Sequence, residues 1–315
     1  MKVAVLGGGW TAEREVSLRS AHRVLTAVSE LGHDAWLIDP GEVPLAEALL
    51  ERRPELVWLA LHGKDGEDGT VQRLLDVLDL LYTGTAGFDC ECAFDKVLAK
   101  DVLARAGVTT PPWIAIEAAG LRDLGAGAIL GAAVERIGLP CVVKPSRSGS
   151  ALGVGFVERE SDIARAVMAA LSFSGAAIIE RKITGTEIAV GMIGDPLEPL
   201  PLVEIDPKSG VYDYASRYTA GATHYFAPAR VSDEIAAEAR RAASDAAAAL
   251  RLRDLTRVDM IVDRDGVPWV LEVNVGPGMT ETSLVPLAAQ AAGMSLVGLC
   301  DNIIRSATAR SGLAP

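Results

Sequence analysis

Residues Cys141 to Val157 read CVVKPSRSGSALGVGFV, and this stretch decides the architecture. Cys141 to Lys144 is a short apolar run ending in lysine, Pro145 to Gly153 is rich in serine and glycine, and Val154 to Val157 is β-prone again. The pattern is strand, Gly-rich loop, strand. No helix opens directly behind the loop, so it is not the P-loop, whose Gly-Lys-Ser/Thr ending starts one. Lys144 sits where an apolar interior meets the loop, which is costly for an ammonium without an anionic partner. The same lysine also suits a side chain snorkelling to the surface. Behind it, the backbone N–H groups and hydroxyls from Ser148 to Gly153 can fold over phosphates.

Working outward, Val3 to Leu6, Ala35 to Ile38 and Leu56 to Leu61 are β-rich runs separated by the helix-length segments Arg14 to Leu31 and Pro44 to Arg52. That alternation builds a parallel sheet. This α/β block closes with a helix over Asp95 to Ala106, after which Gly107 and the Pro111–Pro112 pair break the pattern. Beyond the loop, Ala177 to Glu180 followed by Glu187 to Ile193 predicts an antiparallel sheet. The last block has an Ala-rich helix, Asp233 to Leu250, then strands Leu255 to Val262 and Trp269 to Glu272 joined by a turn at Asp263 to Gly266. The fold class is therefore mixed, α/β followed by α+β.

Composition narrows the function. With 315 residues, half of them hydrophobic, the chain can bury a large core divided over two or three units. A net charge of -12 argues against nucleic acid or an anionic membrane as partner, since both call for clustered Lys and Arg. Any anionic ligand must be gripped locally. Cys90, Cys92, Cys141 and Cys300 lack zinc-site spacing, Met1 leads straight into a strand, and charge interrupts every apolar run. These features predict a reduced, cytoplasmic protein without a membrane anchor.

Arg257 and Asp259 lie two apart in a strand and so share a face, as do Glu272 and Asn274 on the partner strand. Two carboxylates and an amide oxygen are hard ligands suited to Mg²⁺ on nucleotide phosphates, and the guanidinium can neutralise developing charge. A solvated hairpin end would carry the same residue types. Gly7, Gly9 and Ala12 match the dinucleotide pattern G-x-G-x-x-G/A behind a strand, but Glu13 and Glu15 follow where a pyrophosphate would sit. Those acids suit an ammonium group, or simply the helix dipole. His62 ends a strand at the carboxyl edge, where open sheets bind ligands and where structural histidines are also common. The loop Asn274 to Ser283 offers N–H groups as an oxyanion hole, with Ser283 as an N-cap.

Six stretches together, TAEREVSLRS from Thr11, LHGKDGEDG from Leu61, DK at Asp95, VKPSRSGS from Val143, RVDM from Arg257 and LEVNVGPGMTETSLVP from Leu271, resemble the ATP-grasp superfamily. Within it they resemble the D-alanine:D-alanine ligases, in the family's order and over nearly the whole chain. The resemblance implies an ATP-grasp fold: an N-terminal α/β domain over 1–95, a central subdomain over 96–183 and a C-terminal subdomain over 184–315, the last two sandwiching ATP. It implies that Lys96, Lys144, Ser148, Ser150, Arg181, Ile183 and Arg217 bind ATP, with Glu180 and Glu187 on adenine and ribose. Asp259, Glu272 and Asn274 would hold two Mg²⁺ ions, with Mn²⁺ as a substitute. Glu15 would take the first ammonium with Ser150 and Tyr218, and His62 would lie near the first carboxylate. Arg257 and the Gly278 N–H would stabilise the tetrahedral intermediate, and Ser283 and Leu284 would hold the second carboxylate.

The implied chemistry is activation of D-alanine as an acyl phosphate and capture by a second D-alanine, in a cytoplasmic homodimer serving peptidoglycan synthesis. The stretch Asp206 to Ala227, with Arg217 and Tyr218 at its tip, would be a lid against hydrolysis. This chain departs from the family at Arg217, where lysine is usual, at Ala151, where a hydroxyl is common, and at Trp10. Competing readings are a paralogue joining other amino acids in natural-product assembly or self-resistance, a nicotinamide-dependent oxidoreductase on the Gly7/Gly9 loop, and a non-catalytic nucleotide sensor.

Overall fold

A computed structural model describes residues 1–212, 216–217, 219 and 221–311. Three sheets organise them. In the first, β1 (Lys2–Leu6), β2 (Asp34–Ile38) and β3 (Leu56–Leu59) run parallel in the order β2-β1-β3. Central β1 is apolar because it is covered on both faces: Val3 to Leu6 are fully buried. The helix Arg14–Glu30 crosses from β1 to β2 and buries Ser17, Ser20, Ala21, Val24, Ala27 and Val28, a stripe at three- and four-residue spacing. Two of those positions are serines, for a reason that lies in the site.

The second sheet is antiparallel in the order β4-β7-β5-β6, with β4 (Trp113–Glu117), β5 (Cys141–Pro145), β6 (Gly155–Val157) and β7 (Ala176–Arg181). The quoted serine-glycine loop joins β5 to β6. The third sheet is antiparallel in the order β11-β10-β8-β12-β13, with β9 paired to β8. Its strands are β8 (Gly185–Gly194), β9 (Glu198–Pro199), β10 (Val203–Pro207), β11 (Thr223–Phe226), β12 (Asp254–Asp263) and β13 (Pro268–Asn274). The hairpin β12–β13 sets Asp259 opposite Glu272 and Arg257 opposite Asn274. Its register slips after Asp259, and such an irregularity re-aims side chains beside it.

The Ala-rich helix Asp233–Ala249 packs Ala239, Ala243, Ala246 and Ala247 onto β12 and β13. Ser232 caps it by accepting the Ile235 N–H at 3.4 Å. The last helix, Leu296–Ser311, returns to lie against Arg14–Glu30 and β8. One core therefore joins the first and third sheets: Val3, Val5, Val24, Leu56 and Trp58 pack with Val203, Leu255, Val285, Leu299 and Ile303. Burying each large side chain contributes roughly 1.5–3 kcal/mol. The second sheet keeps its own core of Val143, Val157, Val167, Ile179 and neighbours. Among the described residues no single helix is long and apolar enough to cross a membrane.

Candidate active site

All three sheets contribute to one cleft. A cavity of about 340 Å³ is lined by Glu13, His62, Ser150, Arg257, Asn274, Gly278, Ser283 and Leu284, among others. A neighbouring cavity of about 250 Å³ is lined by Lys144, Glu180, Arg181, Ile183, Glu187, Asp259 and the apolar Val142, Phe156 and Ile261. The two share Lys96, Ser148, Tyr212, Arg217, Leu271 and Glu272 as common walls. Every described residue that the ligase resemblance assigns to the site lines one or both cavities except Glu15. Tyr218 lies outside the described residues.

Glu15 is exposed and Glu13 is buried, which corrects the sequence reading. The helix begins at Arg14, so positions 13 and 15 point to opposite sides of its first turn. Glu13 turns inward because two loops leave room for it. A Cβ at Gly63 would stand 2.3 Å from Glu13 Oε2, and one at Gly149 would stand 2.7 Å away. Ser150 donates its hydroxyl to Glu13 Oε1. Ser150 and Ala151 both have left-handed backbone, φ 49° and 57°, strain that turns the loop back toward the helix start. Burial, then the nearby Glu67 carboxylate, hold Glu13 above the ordinary carboxylate range against the Ser150 hydrogen bond.

The N-terminal glycine loop is already satisfied from within. Gly7 N–H donates to Ile38 O at 3.1 Å, Gly8 N–H to Ser17 Oγ at 2.8 Å and Gly9 N–H to Asp39 Oδ1 at 3.0 Å. Asp39 fills the space over Gly8, where a Cβ would meet its carboxylate at 2.3–2.4 Å. A pyrophosphate would meet a carboxylate where it needs free N–H groups. This overturns the dinucleotide reading.

Under the serine-glycine loop, Glu180 is ion-paired with two lysines: Lys144, and Lys100 at 2.7 Å. All three side chains are buried or nearly so, at 12%, 3% and 2% exposure for Lys144, Lys100 and Glu180. Burial alone would pull Lys144 down, but Glu180 and Glu272 outweigh it and hold the ammonium up. For Lys100 burial wins and its value falls. Burial would raise Glu180, and the two ammoniums hold it down instead. The Glu180 carboxylate thus faces two lysines, and the residue lines the second cavity. Lys100 was not singled out from the sequence, although its spacing of four from Lys96 on one helix was a signal. Lys96 donates to Ser148 O at 2.8 Å and lies 3.5 Å from Glu272.

On the hairpin, Arg257 grips Asp259 with two hydrogen bonds of 2.7 and 2.8 Å, and Asn274 Nδ2 donates to Asp259 at 3.1 Å. Burial would raise Glu272, but Lys96, Arg217, Lys144 and Arg257 bring it to about 2. Glu187 goes the other way, to about 7, because burial exceeds the pull of Arg217. The Arg217 guanidinium lies 4.3 Å from the centroid of the Tyr212 ring, a stacking that a lysine would make less well. Tyr212 in turn meets Tyr225 edge-on. Among the described residues no three His, Cys, Asp or Glu side chains form a metal cluster. Two facing carboxylates and an amide oxygen still suit a hard cation that takes its other ligands from phosphate.

The loop 274–283 needs glycine at position 278. A Cβ on Gly278 would strike Ser283 Oγ at 2.8 Å. Ser283 stands at the N-cap of the helix Leu284–Ala291, but its side chain makes no cap bond. It accepts the Thr280 N–H at 3.0 Å and pairs with Thr280 Oγ1 at 2.8 Å, which corrects the N-cap expectation.

Residues 102–305 match the family model for the D-ala D-ala ligase C-terminus. Over 319 aligned residues the chain is 40% identical to a D-alanine–D-alanine ligase from Pelotomaculum thermopropionicum, covering 99% of this chain and 98% of that protein. The chain belongs to the D-alanine–D-alanine ligase family. A solved ligase of this family from Bacillus anthracis, determined in complex with ATP, superposes with a TM-score of 0.83 at 28% identity, covering 99% of both chains. The VanG D-Ala:D-Ser ligase from Enterococcus faecalis also reaches 0.83, at 26% identity over 96% of this chain and 98% of that one. The ligase fold is ATP-grasp, and the chain is an ADP-forming ligase.

Proposed function

We propose that the chain joins two D-alanine molecules to D-alanyl-D-alanine with conversion of ATP to ADP and phosphate, in the cytoplasm and for peptidoglycan synthesis. The observation that carries this reading is the meeting of two cavities at Lys96, Arg217 and Glu272. One lobe, about 340 Å³, carries a carboxylate and hydroxyls; the other, about 250 Å³, has apolar walls and a buried lysine. A phosphoryl group passing between them crosses their shared wall.

The first D-alanine sets its ammonium on Glu13, and its carboxylate oxygen attacks the γ-phosphorus as the bond to ADP breaks. Positioning supplies much of the rate, because the protein turns a two-body step into a one-body step. Lys144, Lys96 and Arg217 neutralise phosphate charge. The second D-alanine places its carboxylate at Ser283 and Leu284, and its amine attacks the acyl carbon. Arg257 and the Gly278 N–H stabilise the oxyanion. Collapse expels phosphate, which keeps the attacking carboxylate oxygen, and the amine gives up its proton. Asp259, Glu272 and Asn274 would hold Mg²⁺, which supplies Lewis-acid neutralisation of the phosphates when bound. Arg217 stands on the wall that the two cavities share, where it shields the acyl phosphate from water, and the working assembly is a homodimer.

Turnover of ATP, Mg²⁺ and D-alanine to ADP, phosphate and a dipeptide identified by mass tests the substrate, with L-alanine, D-serine and D-lactate in parallel. ADP release only with another amino acid would replace D-alanine in this reading. Glu13→Gln is expected to raise the Michaelis constant of the first D-alanine about 30-fold, the low end of roughly 2–5 kcal/mol for a desolvated charge pair. Because Glu13 is held above the ordinary carboxylate range, it takes up its proton, and loses its pull on the ammonium, at a higher pH than an ordinary glutamate as the solution is acidified. The first-site constant therefore falls as pH rises through that raised value. In Glu13→Gln it stays flat; a matching slope in both proteins would remove Glu13 from the role.

A further inference from the structure

One face of the helix Arg14–Glu30 grips the substrate-side loop 274–283 at a single residue. Ser20 Oγ accepts the Met279 N–H at 3.1 Å, and Arg23 Nη1 donates to Met279 O at 2.6 Å. Arg19 and Arg23 each lie 3.3 Å from Glu281 on the same loop. The Ser20 hydroxyl also lies 3.1 Å from His62 Nε2, and His62 Nδ1 lies 3.0 Å from Gly276 O. A carbonyl only accepts, so Nδ1 carries the ring proton. With Met279 N–H already donating to Ser20, the serine hydrogen points to Nε2. With the ring neutral, the chain of donors runs Met279 N–H to Ser20, Ser20 O–H to His62, and His62 Nδ1–H to Gly276.

The two ends of this chain are both in the loop 276–283. His62 comes from the end of the first sheet, yet it is bonded to that loop directly through Gly276 and indirectly through Ser20. Ser20 is fully buried, on a helix face otherwise taken by Ser17, Ala and Val. A buried hydroxyl there is costly unless both its bonds are used, and both are. Gly278 lies inside the ring so formed: a Cβ on it would stand 3.9 Å from His62 Nε2 and 2.8 Å from Ser283 Oγ.

We infer that Ser20 is a positioning residue for the second amino acid: it fixes His62 in the Nδ1–H tautomer and locks that ring to the Gly276–Gly278–Ser283 loop. This rests on the reading above, in which Ser283 and Gly278 face the second substrate. Ser20 touches no substrate itself. Its loss frees the loop from the helix at Met279 N–H and frees the His62 ring to take either tautomer, while Glu13, Lys144 and the hairpin keep their partners.

Two readouts test it on the full-length protein. In Ser20→Ala, fitting rate against D-alanine concentration with two constants is expected to give about a ten-fold rise in the second-site constant, the loss of one well-placed hydrogen bond. The ATP constant should stay within about two-fold. In ligand-free protein, imidazole ¹⁵N spectra should show His62 as the Nδ1–H tautomer in the wild type and as a mixture in Ser20→Ala. With four histidines in the chain, His62→Asn assigns the signal. Ser20→Cys, close in size with a weaker donor, should fall between serine and alanine and stands in if the alanine variant fails to fold. An unchanged His62 signature, an unchanged second-site constant, or equal loss in all constants overturns the inference. Because the spectra need no substrate, they test the link even if the wild type makes no dipeptide, a result that would instead sink the D-alanine reading.

Discussion

Arg257→Met lowers kcat by about 10²–10³, the usual cost of removing one donor from a developing oxyanion, while the ATP constant moves little. Arg257 is placed for this because β12 alternates faces: Val258 is buried in the core while Arg257 and Asp259 point into the cleft. Burial would lower the guanidinium and Asp259 more than offsets it, so the group stays charged throughout. Stability is a competing explanation, since removing one partner of a buried ion pair costs about 3–5 kcal/mol and Asp259 is 5% exposed. Arg257→Lys separates the two. An ammonium keeps a charge beside Asp259, but as a point donor it cannot bond both carboxylate oxygens and still face the substrate. The lysine variant is therefore expected to unfold in urea near the wild type and still lose most of its kcat. Wild-type turnover in Arg257→Lys would remove the guanidinium from the chemistry.

Glu180→Gln is expected to destabilise the ligand-free protein by about 3–5 kcal/mol, since it strands two nearly buried ammoniums, Lys144 and Lys100. Lys100→Met should cost less, because Glu180 keeps Lys144. The sign with pH follows from the direction of the shift. Glu180 is held below its ordinary 4.5, so its contribution is present above that value and is lost as pH falls through the depressed one. Urea midpoints of wild type and Glu180→Gln should be well apart at neutral pH and converge in acid. Equal midpoints at neutral pH would mean that the lysines have another partner and that the triad is not what holds the phosphate side together.

The fold was legible where local pattern and packing agree. The β1 run is apolar on both faces because it is central, and the strand–loop–strand at 141–157 carries its own turn chemistry. The hairpin β12–β13 was legible too, since alternation alone puts Arg257 beside Asp259 and Glu272 beside Asn274. What the sequence did not reveal depends on tertiary contact. Choosing Glu13 over Glu15 needs the position of the helix start and the space left by Gly63 and Gly149, which come from loops fifty and more residues away. The Gly7–Gly9 loop looks like a dinucleotide site until Asp39, from the end of β2, fills it. Ser20 reads as a polar intrusion in an apolar stripe, and its two partners, Met279 and His62, both lie in distant parts of the chain. Ser283 has the residue type of an N-cap, but Thr280 competes for its hydroxyl and wins.

The most direct test is to supply D-alanine carrying oxygen-18 in both carboxylate oxygens with unlabelled ATP and Mg²⁺, and to weigh the phosphate, nucleotide and dipeptide. Attack of the first carboxylate on the γ-phosphorus predicts one oxygen-18 in each phosphate released, none in ADP, and a dipeptide that has lost one labelled oxygen at its peptide carbonyl carbon. Unlabelled phosphate, or AMP in place of ADP, would contradict the account.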